Sequence, residues 1–425
     1  MIRFLFKGLL RDRQRSLLPA IVVAAGVSLT VLLVCYLTGI LGDFSDFTAK
    51  FSSGHVKIMT RAYADNMNQM PIDLSIENVS ELMDKVKKDY PDMEWVMRTQ
   101  FGGLLDAPDE NGETRAQGPT MAIAIDMLTP GSQEPERLNL ENILVKGNLP
   151  DNPGEILISD EFATNLEVTP GDQVTLMGST MYGSMSFYNF TIAGTIRFGV
   201  SVMDRGAIIV DISDAHAALD MQDASGEILG YLPGGHYLGQ EAGEVCASFN
   251  NKYSDPGDEF SPIMLKLTEQ GEMLGAYLEM VDSVAFIVVF IFIFAMSIVL
   301  WNTGLIGGLR RYGEVGIRLA IGEGKGHIYR SMIYESALIG IVGSAFGTII
   351  GLLFAYWIQE KGIDISSMMK GATMMMPGTF HAKIVPQAYY LGFIPGLFSS
   401  TLGTMLSGIG IYKRKTASLF KELEN

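Results

Sequence analysis

Apolar residues gather in four long blocks, and the sequence between the first two alternates like that of an ordinary globular domain. Leu17–Leu41 carries no charge, and Ser283–Ile306, Ile333–Ile358 and Ala388–Ile411 are similar, with one acid, Glu335, near the start of the third. As helices, at about 1.5 Å per residue, each is long enough to cross a hydrocarbon core of ~30 Å. The pattern predicts four spans at 17–41, 283–306, 333–358 and 388–411. A cleaved signal peptide is the rival reading of the first block. Its apolar run exceeds the ~7–15 residues of such a leader. Leu32-Leu33-Val34-Cys35 has Val34 where a lipoprotein cleavage site wants a small residue.

Ahead of the first block, Ile2, Leu5, Phe6, Leu9 and Leu10 recur at helical spacing, with Arg3, Lys7, Arg11 and Arg15 on another face. This predicts an amphipathic helix over 1–16 lying in a membrane interface. Ser16 and Pro19 mark the turn into the first span. Between the first two spans, strand patterns occur at His55–Met59, Met121–Ile125, Glu155–Ser159, Gln173–Leu176, Phe187–Ile192 and Ala207–Val210. Helical patterns occur at Glu77–Lys88, Asp160–Asn165 and Ser213–Leu219. The reading is an α+β domain over 42–282, inserted between the first and second membrane helices. Gly226–Pro262, rich in Gly, Pro, Ser and Asp, reads as a long loop or irregular insertion. Leu37, Leu41, Phe44, Thr48 and Phe51, and then Leu274, Leu278 and Val281, keep helical spacing at the two ends of this domain. They predict stalks that prolong the spans.

Charge gives the layout a direction. Residues 42–282 hold 14 Lys and Arg against 39 Asp and Glu; 14 minus 39 is −25, and the chain total of −16 leaves +9 elsewhere. The basic residues sit in the N-terminal stretch, in the loop 307–332 (Arg310, Arg311, Arg318, Lys325, Arg330) and in the tail 412–425 (Lys413, Arg414, Lys415). With four spans all three fall on one side, which the bias of Lys and Arg marks as cytoplasmic. The acidic domain and the loop 359–387 then lie outside an inner (cytoplasmic) membrane. So acidic a middle excludes nucleic-acid binding. The two cysteines, Cys35 in a span and Cys246 in the middle, are not expected to pair.

Candidate chemistry is sparse. No phosphate-binding G-x-x-x-x-G-K-[ST] loop is present; Gly322-Glu323-Gly324-Lys325-Gly326 lacks the Ser or Thr after Lys. His55, His216, His236, His327 and His381 are scattered, and no nucleophile–base constellation stands out. We therefore expect no catalytic, cofactor or metal site in this chain. Met368, Met369, Met374, Met375 and Met376 form a soft cluster, which reads as apolar packing, a surface for an acyl chain or partner, or a copper(I) site. Glu335 reads as a helix-start acid or as a functional intramembrane charge. Small residues repeat every fourth position at Gly343, Gly347 and Gly351, and at Gly392 and Gly396. This spacing lets helices approach closely, within the chain or between two copies.

Three stretches resemble a known family, the permeases of macrolide-exporter, lipoprotein-releasing and cell-division type (MacB, LolC/LolE, FtsX). They are Ser53-Gly54-His55-Val56-Lys57-Ile58, the series Gly147-Asn148-Leu149-Pro150, Gly154–Ser159, Val168–Leu176 and Phe190–Thr195, and Arg311-Tyr312-Gly313-Glu314-Val315-Gly316-Ile317-Arg318-Leu319-Ala320-Ile321-Gly322. The last is similar to the family's pattern R-x-x-E-I-G-x-x-R-A-x-G after the second span. The tail lacks the family's terminal proline, and Gly226–Pro262 has no counterpart. The resemblance implies a non-catalytic membrane subunit of an ABC transporter. ATP and magnesium would be bound by a dimer of partner ATPase subunits, under a homodimer or heterodimer of permeases. It implies that Arg311, Glu314, Gly316, Ile317, Arg318, Ile321 and Gly322 couple to that ATPase. Glu314 and Arg318, four apart, can pair or reach the partner, and Ile317 and Ile321 form an apolar anchor. A plain positive-inside loop would account for the arginines alone. The expected activity is release or transport of lipoproteins from the membrane. Macrolide or antimicrobial-peptide efflux, mechanotransmission and regulation of cell-wall hydrolases are the alternatives.

Overall fold

The computed structural model describes residues 13–109, 111–199, 201–364 and 379–413. The chain divides into two compact units: residues 1–41, 281–364 and 379–425, and residues 42–280 with 365–378. The amphipathic stretch Ile2–Leu10, the methionines Met368–Met376 and the tail beyond Lys413 lie outside the described residues.

In the first unit, three helices are long and apolar enough to cross a membrane, within Leu17–Phe51, Ser283–Ala320 and Lys325–Lys361. They belong to continuous helices Arg13–Thr48, Glu272–Leu309 and Lys325–Lys361, so helical structure runs well past the apolar blocks. The fourth block is helical but broken, into Ala388–Leu391, a π-helical stretch Ile394–Ser399 and Ser400–Lys413. Pro395 is the cause: its nitrogen has no hydrogen to donate and its ring crowds the preceding turn. Of the four expected spans, three are continuous helices and the fourth block is an interrupted helical segment. The loop after the third helix is also not simply irregular, because Ile363–Asp364 pairs antiparallel with Thr379–Phe380.

The second unit is a sheet-rich α+β domain. Its strands are β1 Val56–Thr60, β2 Ile76–Glu77, β3 Glu94–Pro108, β4 Thr114–Ile125, β5 Leu144–Gly147, β6 Glu155–Ser159, β7 Gln173–Ser179, β8 Met185–Ile196, β9 Ala207–Asp211, β10 Ala224–Ser225, β11 Glu227–Tyr231 and β12 Pro262–Lys266. Ten of them form one sheet in the order β12-β1-β11-β3-β4-β9-β6-β8-β5, with β7 against β3 and β8. β4–β9 and β6–β8 are parallel, and the remaining pairs are antiparallel. The 15-residue β3 is the spine: its first five residues pair with β11 and the rest with β4 and β7.

β6 and β9 read as unbroken apolar runs because both their faces are covered. Ile156, Ile158, Ile208 and Val210 point into one core with Phe101, Phe162 and Phe190. Leu157 and Ile209 point into another with Ile125, Leu138 and Leu140. β1, β6 and β9 each turn straight into a helix, and the last strand residue caps it. Thr60, Ser159 and Asp211 accept from Tyr63 N at 3.1 Å, Phe162 N at 3.4 Å and Ser213 N at 2.9 Å.

Gly226–Pro262 is not irregular. It supplies β11, wholly buried between β1 and β3, then the helix Gly239–Tyr253 and the start of β12. Its Gly and Pro residues are spread over the turn Pro233-Gly234-Gly235, the strand, the helix and the Pro256-Gly257 turn, while Ala242, Cys246 and Phe249 fall on one buried helical face. Cys35 and Cys246 are both buried and unpaired.

Candidate functional site

Two places gather the residues of interest, one in each unit. In the first, the loop between the second and third long helices holds a short helix, Tyr312–Ala320. Tyr312, Val315 and Gly316 face inward, Tyr312 and Val315 packing with Ile328 and Met332 of the third long helix. The opposite face exposes Glu314, Ile317 (47% exposed) and, just past the helix, Ile321 (82%). Positions 314, 317 and 321 are separated by three and four residues, so they form one stripe. Two isoleucines on a solvent-facing stripe are unusual for a loop that needs only to be polar.

Arg318 does not pair with Glu314. Its guanidinium forks onto Glu323, Nε to Oε2 at 2.6 Å and Nη2 to Oε1 at 2.5 Å. The helix ends at Ala320 and Gly322 turns the chain with φ +100°, which brings Glu323 back beside Arg318. That hydrogen bond holds the Glu323 carboxyl below its ordinary range. The expected helix-start role of Glu335 also needs correction. The third long helix begins at Lys325, so Glu335 lies beyond its first turns, where Arg311 pairs with it. Arg311 and Arg318 thus brace the loop from within, and Ile317 and Ile321 are left as its exposed apolar surface.

The glycine ridges are consumed inside the chain. A Cβ on Gly343, Gly347 or Gly351 would lie 2.7 Å from Val23 Cγ1, 2.5 Å from Ala24 O or 2.8 Å from Ser28 O. One on Gly392 would lie 2.6 Å from Val27 Cγ1, and Gly396 abuts Val27 and Ser344. The first helix therefore packs at backbone distance on the third and on the interrupted segment. A second ridge escaped the sequence reading although its spacing was visible: Gly304 and Gly308 of the second helix face Ser400 and Ser407, and Gly403 faces Trp301.

The second place is where the first helix ends. It passes into a π-helical turn, Ala49–Ser53, whose last carbonyls need donors. Arg98, with no exposed surface, supplies them: Nη1 donates to Phe51 O at 2.5 Å and Nη2 to Lys50 O at 3.0 Å. Its Nε meets the equally buried Glu134 at 2.7 Å. Arg137 also pairs with Glu134, reaches Glu94 at 2.6 Å, and lies 4.0 Å over the Tyr231 ring. Asp46, one helical turn earlier, accepts from Tyr237 N at 2.6 Å and contacts His236 Nδ1 at 2.7 Å.

The Ser-Gly-His stretch completes this grip. Gly54, at φ +65°, has no room for a Cβ, which would lie 2.8 Å from Val56 O. His55 is fully buried between Tyr231 and Tyr237, and its Nδ1 accepts from Leu232 N at 2.9 Å. Burial pushes the imidazole down to about 4 from 6.5. The native state thus resists a proton that the unfolded chain accepts below pH 6.5. Stability is full above that pH and falls as pH drops toward 4, by at most roughly 3 kcal/mol. His55→Gln should flatten the difference in unfolding temperature between pH 7 and pH 4.5 relative to wild type. An unchanged difference would exclude His55 as its source.

Nothing in the sequence announced this cluster: Glu134 and Arg137 are three residues apart in one short helix, but Arg98 lies 36 residues before Glu134 and joins them only through the fold. Among the described residues no group of His, Cys, Asp and Glu could hold a metal ion.

The MacB-like periplasmic core domain matches residues 16–236, over half of the chain, and the FtsX-like permease C-terminal domain matches 286–416. The lipoprotein-releasing system transmembrane protein LolC of Xylella fastidiosa is 24% identical over 253 residues, 57% of this chain and 56% of that protein. The chain thus spans about half the length of the curated relatives it matches. The macrolide export ATP-binding/permease protein MacB of Neisseria meningitidis is 34% identical over 71 residues, 16% of this chain and 11% of that one. The crystal structure of the periplasmic region of MacB from Actinobacillus actinomycetemcomitans aligns with TM-score 0.34 and 10% identity, over 52% of this chain and 91% of the other. The chain belongs to the MacB/FtsX/LolC family of ABC-transporter permeases.

Proposed function

We propose that this permease carries ATP-driven motion from a separate ATPase to its outer domain, and that its cargo is a lipid-anchored protein drawn from the membrane. The observation that carries the coupling is the exposed stripe Glu314, Ile317 and Ile321 on a helix held rigid by its buried face and by the Arg318–Glu323 fork. In this reading residues 388–413 form the fourth span, the basic loops are cytoplasmic, and the stripe seats in a groove of the ATPase. The first helix, gripped at its far end by Arg98, Asp46 and His55, passes the motion outward.

A second copy, or a related permease, completes the translocation path. The second long helix leaves Phe286, Phe290 and Phe294 at least 60% exposed on one face, a surface suited to that neighbour or to lipid. The lipid-anchored cargo is favoured by the broader match, since the LolC similarity extends over 57% of the chain and the MacB one over 16%. Tyr182, Met185 and Phe187, exposed on the β7–β8 hairpin, offer an apolar surface on the outer domain that would receive an acylated partner.

Ile317→Asp with Ile321→Asp tests the coupling. The double variant should reach the membrane and unfold like wild type, yet lose co-purification with the ATPase by about tenfold or more, the effect of placing charge in an apolar contact. Undiminished co-purification would remove the stripe from the interface.

A further inference from the structure

We infer that a cleft at the basic end of the membrane unit binds one phospholipid of the surrounding membrane, with an acyl chain inside and the phosphate at Arg310. The cleft encloses about 600 Å³, within the ~300–1,000 Å³ range of small-molecule sites. Leu18 and Val22 of the first helix, Ile306 of the second and Ile339 of the third supply apolar walls.

The hydroxyls that also reach the lining are already satisfied. Ser336 Oγ donates to Ser400 O at 3.2 Å, and Thr404 Oγ1 bonds Ser336 Oγ at 2.9 Å. The interior therefore offers hydrocarbon contact and little demand for a polar solute. The mouth is different. Glu314 also lines the cleft and has an interaction of its own, and Arg311 is engaged by Glu335, whereas Arg310, exposed immediately after the second helix, makes no ion pair among the described residues. A guanidinium next to an apolar slot matches a phosphodiester joined to an acyl chain, because its planar donors fit phosphate oxygens. Leu17, Leu18 and Ile21 are each more than half exposed beside the slot, so a chain can enter sideways from the bilayer. A lipid seated here would tie the start of the coupling helix, at Tyr312, to the first long helix. Only its assignment to the cytoplasmic leaflet rests on the orientation proposed above.

The test is native mass spectrometry of the full chain released from nanodiscs of phosphatidylethanolamine and phosphatidylglycerol, without any ATPase. Wild type should retain one phospholipid of either headgroup through detergent washing. Arg310→Gln should weaken retention of both by about tenfold, as expected for loss of a charge-assisted bond. Gly307→Phe should abolish it: Gly307 lines the cleft and a Cβ there meets nothing within 4 Å, so the ring fills the slot without displacing backbone. Arg330→Gln, outside the lining, should leave retention intact. Retention by Gly307→Phe equal to wild type, or no lipid on wild type, would overturn the site. Labelling of Lys325→Cys from the outer side of intact cells would overturn the leaflet assignment alone.

Discussion

Replacing Arg98 with alanine should destabilise the outer domain by about 3–5 kcal/mol, the cost of breaking a buried charge pair from one side. Three losses coincide: Glu134 keeps its charge with one partner fewer, and the carbonyls of Lys50 and Phe51 lose their donors. Arg98→Met combined with Glu134→Leu removes both charges and fills similar volume, so it should recover much of that stability. It would not restore the donors to the π-helical turn. The two variants therefore separate fold stability from the grip on the first helix. Thermal unfolding of the full chain in detergent reads the first. Transport in the assembled complex reads the second, and the double variant should fold yet transport poorly. Equal unfolding temperatures for wild type and Arg98→Ala would show that this knot contributes little.

Gly347→Leu should be as severe in the membrane unit. A Cβ at Gly347 already meets Ala24 O at 2.5 Å and Val27 Cβ at 2.8 Å, so a leucine forces the first and third helices apart along a rigid backbone. Overpacking of this kind costs typically about 1–3 kcal/mol, and here both neighbours are main chain or the stem of a β-branched residue. The full-length variant should be poorly recovered from the membrane and should unfold well below wild type. Gly324→Leu, at a glycine of the same unit with open space around it and φ −71°, should be tolerated. If both behave alike, close helix contact is not what the ridge provides.

The parts of this protein legible in its sequence are those with a local signature. The apolar blocks, the runs Glu155–Ser159 and Ala207–Val210 and the spacing of Gly343, Gly347 and Gly351 each declare themselves within a short window. The short helix after the second span is legible in part, from Glu314 and Arg318 four apart and Ile317 and Ile321 four apart; its inward face of Tyr312, Val315 and Gly316 is seen only in the fold. What stayed hidden depends on partners distant in sequence. Arg98 reads as one charge in a polar-flanked strand until Glu134 and the carbonyls near residue 50 fold around it. Arg318 chose Glu323 over the four-residue partner because Gly322 reverses the chain, which no helical pattern foretells. The stretch Gly226–Pro262 was misjudged on composition, since a five-residue strand buried on both faces and a helix with one apolar face can coexist with a glycine-rich turn.

The most direct measurement is ATP hydrolysis by the purified chain, alone and with its ATPase partner, for wild type and for Glu314→Ala with Arg318→Ala. The account predicts no hydrolysis by the chain alone, hydrolysis in the complex, and loss of assembly or of coupled transport in the variant. Robust hydrolysis by the chain alone would contradict it.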